Sequence, residues 1–188
     1  RYLESLLHPE KTRNVNVNYR MSRMVHSTAF TRDKGLYNLM KKFYGAIDGD
    51  GAAKQAASKV MHGIETAAKG IMFGCKDCGD CSLSDCAYLC PRSACSKNTR
   101  NGPCGGSFNG RCELDDKDCL WARAYDRLKY YGESQIMLDR AIVIHNPDLD
   151  GTSSWANTYL DRDHLVPPQE LPAPLLPTAN PPDSWRAR

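Results

Sequence analysis

The chain has 188 residues, 41% of them hydrophobic, with 25 Lys and Arg against 22 Asp and Glu. That length fits one ordinary domain, or a small one with long extensions. A net charge of +3 argues against a nucleic-acid binder, and no run approaches the ~18–20 apolar residues of a membrane-spanning helix, so no membrane span is expected.

The first residues, Arg1-Tyr2-Leu3-Glu4, show neither a Met nor the basic-then-apolar pattern of an export signal. A cytoplasmic protein whose true start lies upstream is expected. Residues 1–50 read as a basic helical extension; 12 Lys and Arg face 6 Asp and Glu over residues 1–74. Arg20, Arg23 and His26 recur every three residues and share a helical face, read as solvated, with a partner or a phosphate-bearing cofactor as the alternative. Tyr19, Phe30, Tyr37 and Phe43 interleave with Arg13, Arg32, Lys34, Lys41 and Lys42. Their spacing is that of a helix core, and no RNA-binding motif accompanies them. The expectation is therefore no nucleic acid, but a docking face for an acidic partner surface.

Leu36, Leu39, Met40, Phe43 and Tyr44 predict a helix ending near Gly45. A longer one is predicted from Ala52 to Met72, with Ala56, Val60, Ile64, Ala67, Ala68 and Ile71 on the core face and Gly74 as its stop. On that helix His62 is assigned a surface or capping role. A third helix is expected from Cys119 to Tyr131, with Leu120, Ala124 and Leu128 on one face and Gly132 ending it. Ile136–Ile144 reads as one strand. Ser153–Leu160 reads as a short helix capped by its serines. Residues 132–165 form a mixed segment. Residues 166–188 hold seven of the eleven prolines and read as an extended tail.

All nine cysteines lie between Cys75 and Cys119. The odd count and the missing export signal speak against a disulfide framework. Cys75-x2-Cys78-x2-Cys81 puts three sulfurs within seven residues, which suits one metal centre better than separate disulfides. Zinc sites usually come as two CxxC knuckles separated by a longer spacer. The bacterial ferredoxin run is C-x2-C-x2-C-x3-C-P. Here the first three cysteines and a Cys90-Pro91 are present, but eight residues separate Cys81 from Cys90. The match is partial; it favours iron–sulfur over zinc, and thiolates are compatible with either. The region is rich in glycine turns, which let backbone N–H groups approach cluster sulfurs or simply turn the chain between ligands. Trp121 is expected to shield a cluster from water.

The stretch Gly74-Cys75-Lys76-Asp77-Cys78-Gly79-Asp80-Cys81, Cys90-Pro91, Cys95-Ser96-Lys97, Asn101-Gly102-Pro103-Cys104-Gly105-Gly106, Gly110-Arg111-Cys112-Glu113, Cys119-Leu120-Trp121 and Tyr125-Asp126-Arg127-Leu128 resembles the cysteine-rich domain at the C-terminus of some methylenetetrahydrofolate reductases. That domain is similar to the separate small subunit that partners the catalytic subunit in acetogenic bacteria. The resemblance covers roughly residues 60–131. It implies eight ligand cysteines: Cys75, Cys78, Cys81, Cys90, Cys95, Cys104, Cys112 and Cys119. Cys86 falls outside the pattern and is expected to be a buried or free thiol. The family often has Pro where this chain has Ser96, which is expected to alter a turn and not the ligand count. Two [4Fe–4S] clusters are implied; one such cluster plus one zinc, or zinc alone, are the alternatives.

The family's flavin and folate sites sit in a (β/α)8 barrel, and 188 residues are too few for a barrel of ~250. No catalytic residue is therefore assigned. The expected fold is a small α-rich, irregular, metal-stabilised domain over residues 51–131, its helices flanking the Gly/Cys-rich region. The expected role is an electron-transfer accessory subunit or domain, taking electrons from a redox donor protein and exchanging them with a flavin-bearing barrel reductase. The alternatives are a zinc-stabilised structural module of the same complex and a free ferredoxin-like carrier.

Overall fold

The computed structural model describes residues 4, 7–8, 12–139 and 142–166. The Pro-rich tail lies outside the described residues from position 167 on. Seven α-helices are described: α1 (Val17–Val25), α2 (Gly35–Ile47), α3 (Ala52–Phe73), α4 (Pro91–Ala94), α5 (Leu120–Tyr130), α6 (Ile136–Asp139) and α7 (Ser154–Tyr159). A two-stranded antiparallel hairpin, β1 (Ser107–Phe108) and β2 (Arg111–Cys112), pairs Ser107 with Cys112. The small α-rich class expected from sequence is observed. Among the described residues no helix is long and apolar enough to cross a membrane.

Local chemistry sets the boundaries. Asn16 caps α1, its side chain accepting from the Tyr19 N–H. The chain leaves α3 at Gly74, which adopts φ +64 and donates its N–H to the Gly70 carbonyl. Pro91 opens α4 directly after Cys90. Ser153 caps α7 by accepting from the Ala156 N–H, as its sequence suggests.

Two cores hold these elements. One joins Tyr19 of α1 to Cys86, Ala87 and Leu89 of the cysteine-rich loop and to Leu120, Trp121 and Ala124 of α5. Arg127 of α5 stitches it together: its guanidinium lies 4.8 Å from the Tyr19 ring centre and donates to the carbonyls of Asn14, Ala87 and Tyr88. Ala87 and Tyr88 both have positive φ, a conformation costing roughly 1–2 kcal/mol per residue, so this three-carbonyl clamp has a clear purpose. The second core packs Tyr37 and Tyr44 of α2 against Tyr159 of α7. Tyr44 and Tyr159 stack with centroids 5.3 Å apart.

The structure reverses the predicted faces of α3. Val60, Ile64 and Ile71 point to solvent, Ile71 with 89% of its surface exposed, and Ala56 and Ala67 are exposed as well. The buried residues of this helix are Glu65 and Lys69. Leu36, Leu39 and Phe43 of α2 are likewise exposed, while Tyr37 and Tyr44 take the core. Periodicity identified these helices but could not say which stripe turns inward, because a neighbouring polar network claims the charged face of α3.

Among the described residues, no strand forms over Ile136–Ile144, where one is expected. Residues Ile136–Asp139 are a short helix. Val143 does have both backbone groups bonded, but to the side-chain amide of Asn101, at 2.7 and 3.0 Å. An Asn amide supplies one donor and one acceptor, so it stands in for a partner strand.

Candidate metal centre

None of the nine cysteines is in a disulfide. Apart from Cys86, the cysteines lie in two stretches of chain, one on either side of α4. In the first, Cys75 follows the α3 stop, Cys78 and Cys81 lie on the loop beyond, and Cys90 precedes α4. The sulfurs are close enough for charge on Cys90 to act on Cys75, Cys78 and Cys81. The Asp77 N–H donates to the Cys75 sulfur at 3.4 Å, and the Leu83 N–H donates to that of Cys81. Burial pushes the Cys75, Cys78 and Cys81 thiols up, because a thiolate is poorly solvated there.

The second neighbourhood is built on the hairpin. Cys112 is in β2, its N–H donating to the Lys117 carbonyl, and the Cys119 N–H donates to Gly110. The Gly106 N–H donates to the Cys104 sulfur at 3.4 Å. Cys95 is partly buried, which favours the thiol. The Thr99 hydroxyl, 3.3 Å from its sulfur, and the N–H groups of Thr99, Lys97 and Asn98 outweigh that and pull its pKa down. The exposed Lys97 ammonium acts on Cys104 and Cys112, and Lys117 acts on Cys112 and Cys95. Trp121 is buried beside this set, donating its indole N–H to Thr99 at 3.0 Å. It packs in the core that Cys95 and Cys119 border.

Among the described residues, no three His, Cys, Asp or Glu side chains are placed to hold one metal ion. Cys86 has no exposed surface and belongs to the same apolar core, as expected of a buried thiol.

A polar frame missed by the sequence reading fixes the first loop. Asp80, between Cys78 and Cys81, is fully buried. Its carboxylate accepts from the Asn146 N–H at 2.8 Å, the His164 N–H at 3.2 Å and the His164 ring. The other ring nitrogen of His164 meets Asp85 at 3.0 Å. Burial pulls His164 down, but the two carboxylates prevail and raise it to about 9. For Asp80 burial favours the neutral acid, yet the bonds from His164 and Asn146 hold it below the usual carboxylate range. The Gly151 N–H donates to the Asp77 carbonyl, and the Asn157 amide donates to that of Gly79. Residues 145–165 thus clamp the Cys75–Cys81 loop from far along the chain. The one local signal was an acid between two cysteines, and it does not name its partners.

On the same loop, Gly79 has φ +62, and a Cβ there would lie 1.7 Å from the Leu149 carbonyl oxygen. Gly79→Ala is expected to destabilise the chain by more than about 2 kcal/mol, since left-handed strain and overlap with fixed backbone add. A denaturant titration checks this; an unchanged midpoint contradicts it.

Other singled-out residues find partners within the chain. His62, half-buried, meets Asp77 at 2.9 Å and so ties α3 to the loop. Arg23 pairs with Glu133 and lies over the Tyr131 ring, so its face is not wholly solvated. His26 packs against the Phe30 and Tyr88 rings.

No curated protein and no solved structure matches the chain. The family model described as "Methylene-tetrahydrofolate reductase C terminal" matches residues 54–147, half of the chain, from within α3 through both cysteine neighbourhoods. The chain belongs to this family of methylene-tetrahydrofolate reductase C-terminal domains.

Proposed function

We propose that this chain is the iron–sulfur electron-transfer subunit or domain serving a flavin-dependent methylenetetrahydrofolate reductase. What supports the reading is the family match together with backbone N–H groups that donate to the sulfurs of Cys75, Cys81, Cys95 and Cys104. Cys75, Cys78, Cys81 and Cys90 would hold one four-iron cluster; Cys95, Cys104, Cys112 and Cys119 would hold the other. The donor set fits, because four thiolates are the ligands such a cluster takes, each on a different iron, so the sulfurs need to surround a volume and not converge on a point. When bound, the clusters supply one-electron transfer. The protein's own part is to hold the thiolates in position, to donate N–H bonds to them and to keep water away through Trp121 and the apolar core.

Partnership with a flavin-bearing barrel reductase, as a separate chain or fused, is supported by the family and by the outward stripes of α2 and α3. Leu36, Leu39 and Phe43, and Val60, Ile64 and Ile71, form apolar rows with Lys41, Lys42, Lys54 and Lys59 on the same helices. An apolar surface flanked by cations suits a partner with an acidic rim.

The test is anaerobic purification with metal analysis and absorption. The expected protein is brown, bleaches on reduction and holds about eight irons per chain, from two four-iron centres. Colourless protein with stoichiometric zinc and no iron overturns the reading. With a barrel reductase subunit, Ile64→Asp together with Ile71→Asp is expected to weaken the complex at least tenfold while leaving iron content unchanged, read by size-exclusion and metal analysis. Equal affinity removes this face from the interface.

A further inference from the structure

The buried face of α3 is its charged one. Lys69 and Glu65 have side chains 8% and 3% exposed, with the Lys69 Nζ 3.0 Å from the Glu65 carboxylate. Burying such a pair costs desolvation, and apolar replacements of similar volume are often as stable or more so. Apolar residues were at hand on the same helix, yet Val60 and Ile64 face water. Packing alone therefore does not explain the choice.

The surroundings of the pair do. Glu65 is fully subscribed: it accepts from the Ser153 and Ser154 hydroxyls at 2.6 Å each and from the Trp155 N–H at 3.2 Å, besides Lys69. Ser154 lies 2.5 Å from the Lys69 Nζ as well. The carboxylate's charge is thus shared among several donors, and the ammonium is held in one place by two anchors. Lys69 and Cys81 line the same cleft of about 300 Å³, whose walls include Met21, Val25, Met72 and Trp155. In such an apolar setting charge is weakly screened. Lys69 sits above the ordinary ammonium range: burial pulls it down, while Cys81, Glu65 and Cys75 push it up. The cations that act on the second cysteine set, Lys97 and Lys117, are more than a third exposed, where water and salt screen their charge far more than that of Lys69.

We propose that Lys69 is a positioning residue acting through Cys75 and Cys81, placing a fixed buried positive charge that favours the reduced form of the redox group on the first cysteine set and raises its potential above that of the second. This rests on the iron–sulfur reading above. The step is the gain of one electron, with no bond made or broken and no proton taken up. An added negative charge is stabilised by a nearby cation, and the oxidised form less so.

The experiment is a dithionite titration with redox mediators on the iron-containing full chain, followed by electron paramagnetic resonance. Cys104→Ser identifies the second-set signal by its loss. Lys69→Met is expected to lower the reduced-to-oxidised ratio of the first-set signal at fixed potential by about tenfold, or about 59 mV for a one-electron couple. Lys69→Arg should restore it. Glu65→Gln should move it the opposite way, and the second-set signal should stay in place. If Lys69→Met does not fold, the pair Glu65→Gln with Lys69→Met, which leaves no lone buried charge, should lie below Glu65→Gln alone. An unmoved first-set signal, an equal shift of both signals, or shifts of the same sign from Lys69→Met and Glu65→Gln would overturn the proposal. Iron-free protein overturns the iron–sulfur reading and this inference with it; iron-replete protein with unmoved potentials overturns the inference alone.

Discussion

Cys78→Ser and Cys104→Ser are each expected to lose roughly half of the bound metal, or to yield no folded protein, while Cys86→Ser keeps its full complement. The two losses differ in place: Cys78 belongs to the loop after α3, and Cys104 to the hairpin neighbourhood. Free energy of metal binding is folding free energy wherever the site does not exist in the unfolded chain, so a lost ligand is felt as instability. The described residues heighten this dependence. Burial disfavours the thiolates of Cys75, Cys78 and Cys81 more than the Lys69 and Arg100 cations favour them, so their charge needs a further partner such as a bound metal. Cys86 is a different case. It touches the core of Tyr19, Leu120 and Trp121, where Ser is close in size, but its hydroxyl costs about 1–3 kcal/mol if left unbonded. Cys86→Ser therefore lowers stability without lowering metal content. Metal analysis beside a thermal melt separates the two effects. Equal metal loss from all three variants would show that the assignment of the eight ligands is wrong.

Asp80→Ala is expected to cost about 3–5 kcal/mol, the range for breaking a buried ion pair by removing one partner. It leaves the His164 ring with Asp85 alone and the Asn146 N–H without its acceptor. For a chain of this size that corresponds to a fall in Tm on the order of 10 °C. Asp80→Asn should cost less, because the amide oxygen keeps one acceptor. The network also carries a pH dependence. His164 faces Asp80 and Asp85, with Asp163 nearby, and the His145 ring lies 3.5 Å from Asp80. Its pKa rises on folding from the ordinary 6.5 to about 9. A group whose pKa is raised by folding stabilises fully below its unfolded value and loses that contribution as pH climbs through the folded one. The stability gap between the native chain and His164→Gln should therefore be largest below pH 6.5 and close between pH 6.5 and about 9, a change of about 3 kcal/mol. Asp80 acts in the opposite sense: its contribution is present above the ordinary carboxylate range and is lost only in strong acid. Urea titrations from pH 6 to pH 10 read the difference. A gap that stays constant across that window would show that the imidazolium is not what holds the loop.

The sequence by itself determined where the main helices begin and end. Leu120, Ala124 and Leu128 with Gly132 mark α5, Gly74 ends α3 in the left-handed conformation, and Ser153 caps α7, because periodicity, glycine and capping side chains act over a few residues. The clustering of all nine cysteines is plain in the sequence, and the resemblance sets Cys86 apart as the thiol that the structure buries. Which way α3 faces was not legible. A rotation of that helix exchanges Val60 and Ile64 for Glu65 and Lys69, and the choice is made by Ser153, Ser154 and Trp155, about 90 residues away. The frame of Asp80 with Asn146 and His164, and the bond of Val143 to the Asn101 amide in place of a strand, were hidden for the same cause. Only the tertiary structure brings such partners together, because a buried polar group is satisfied by whatever the fold places beside it, and hydrophobic periodicity does not record that choice.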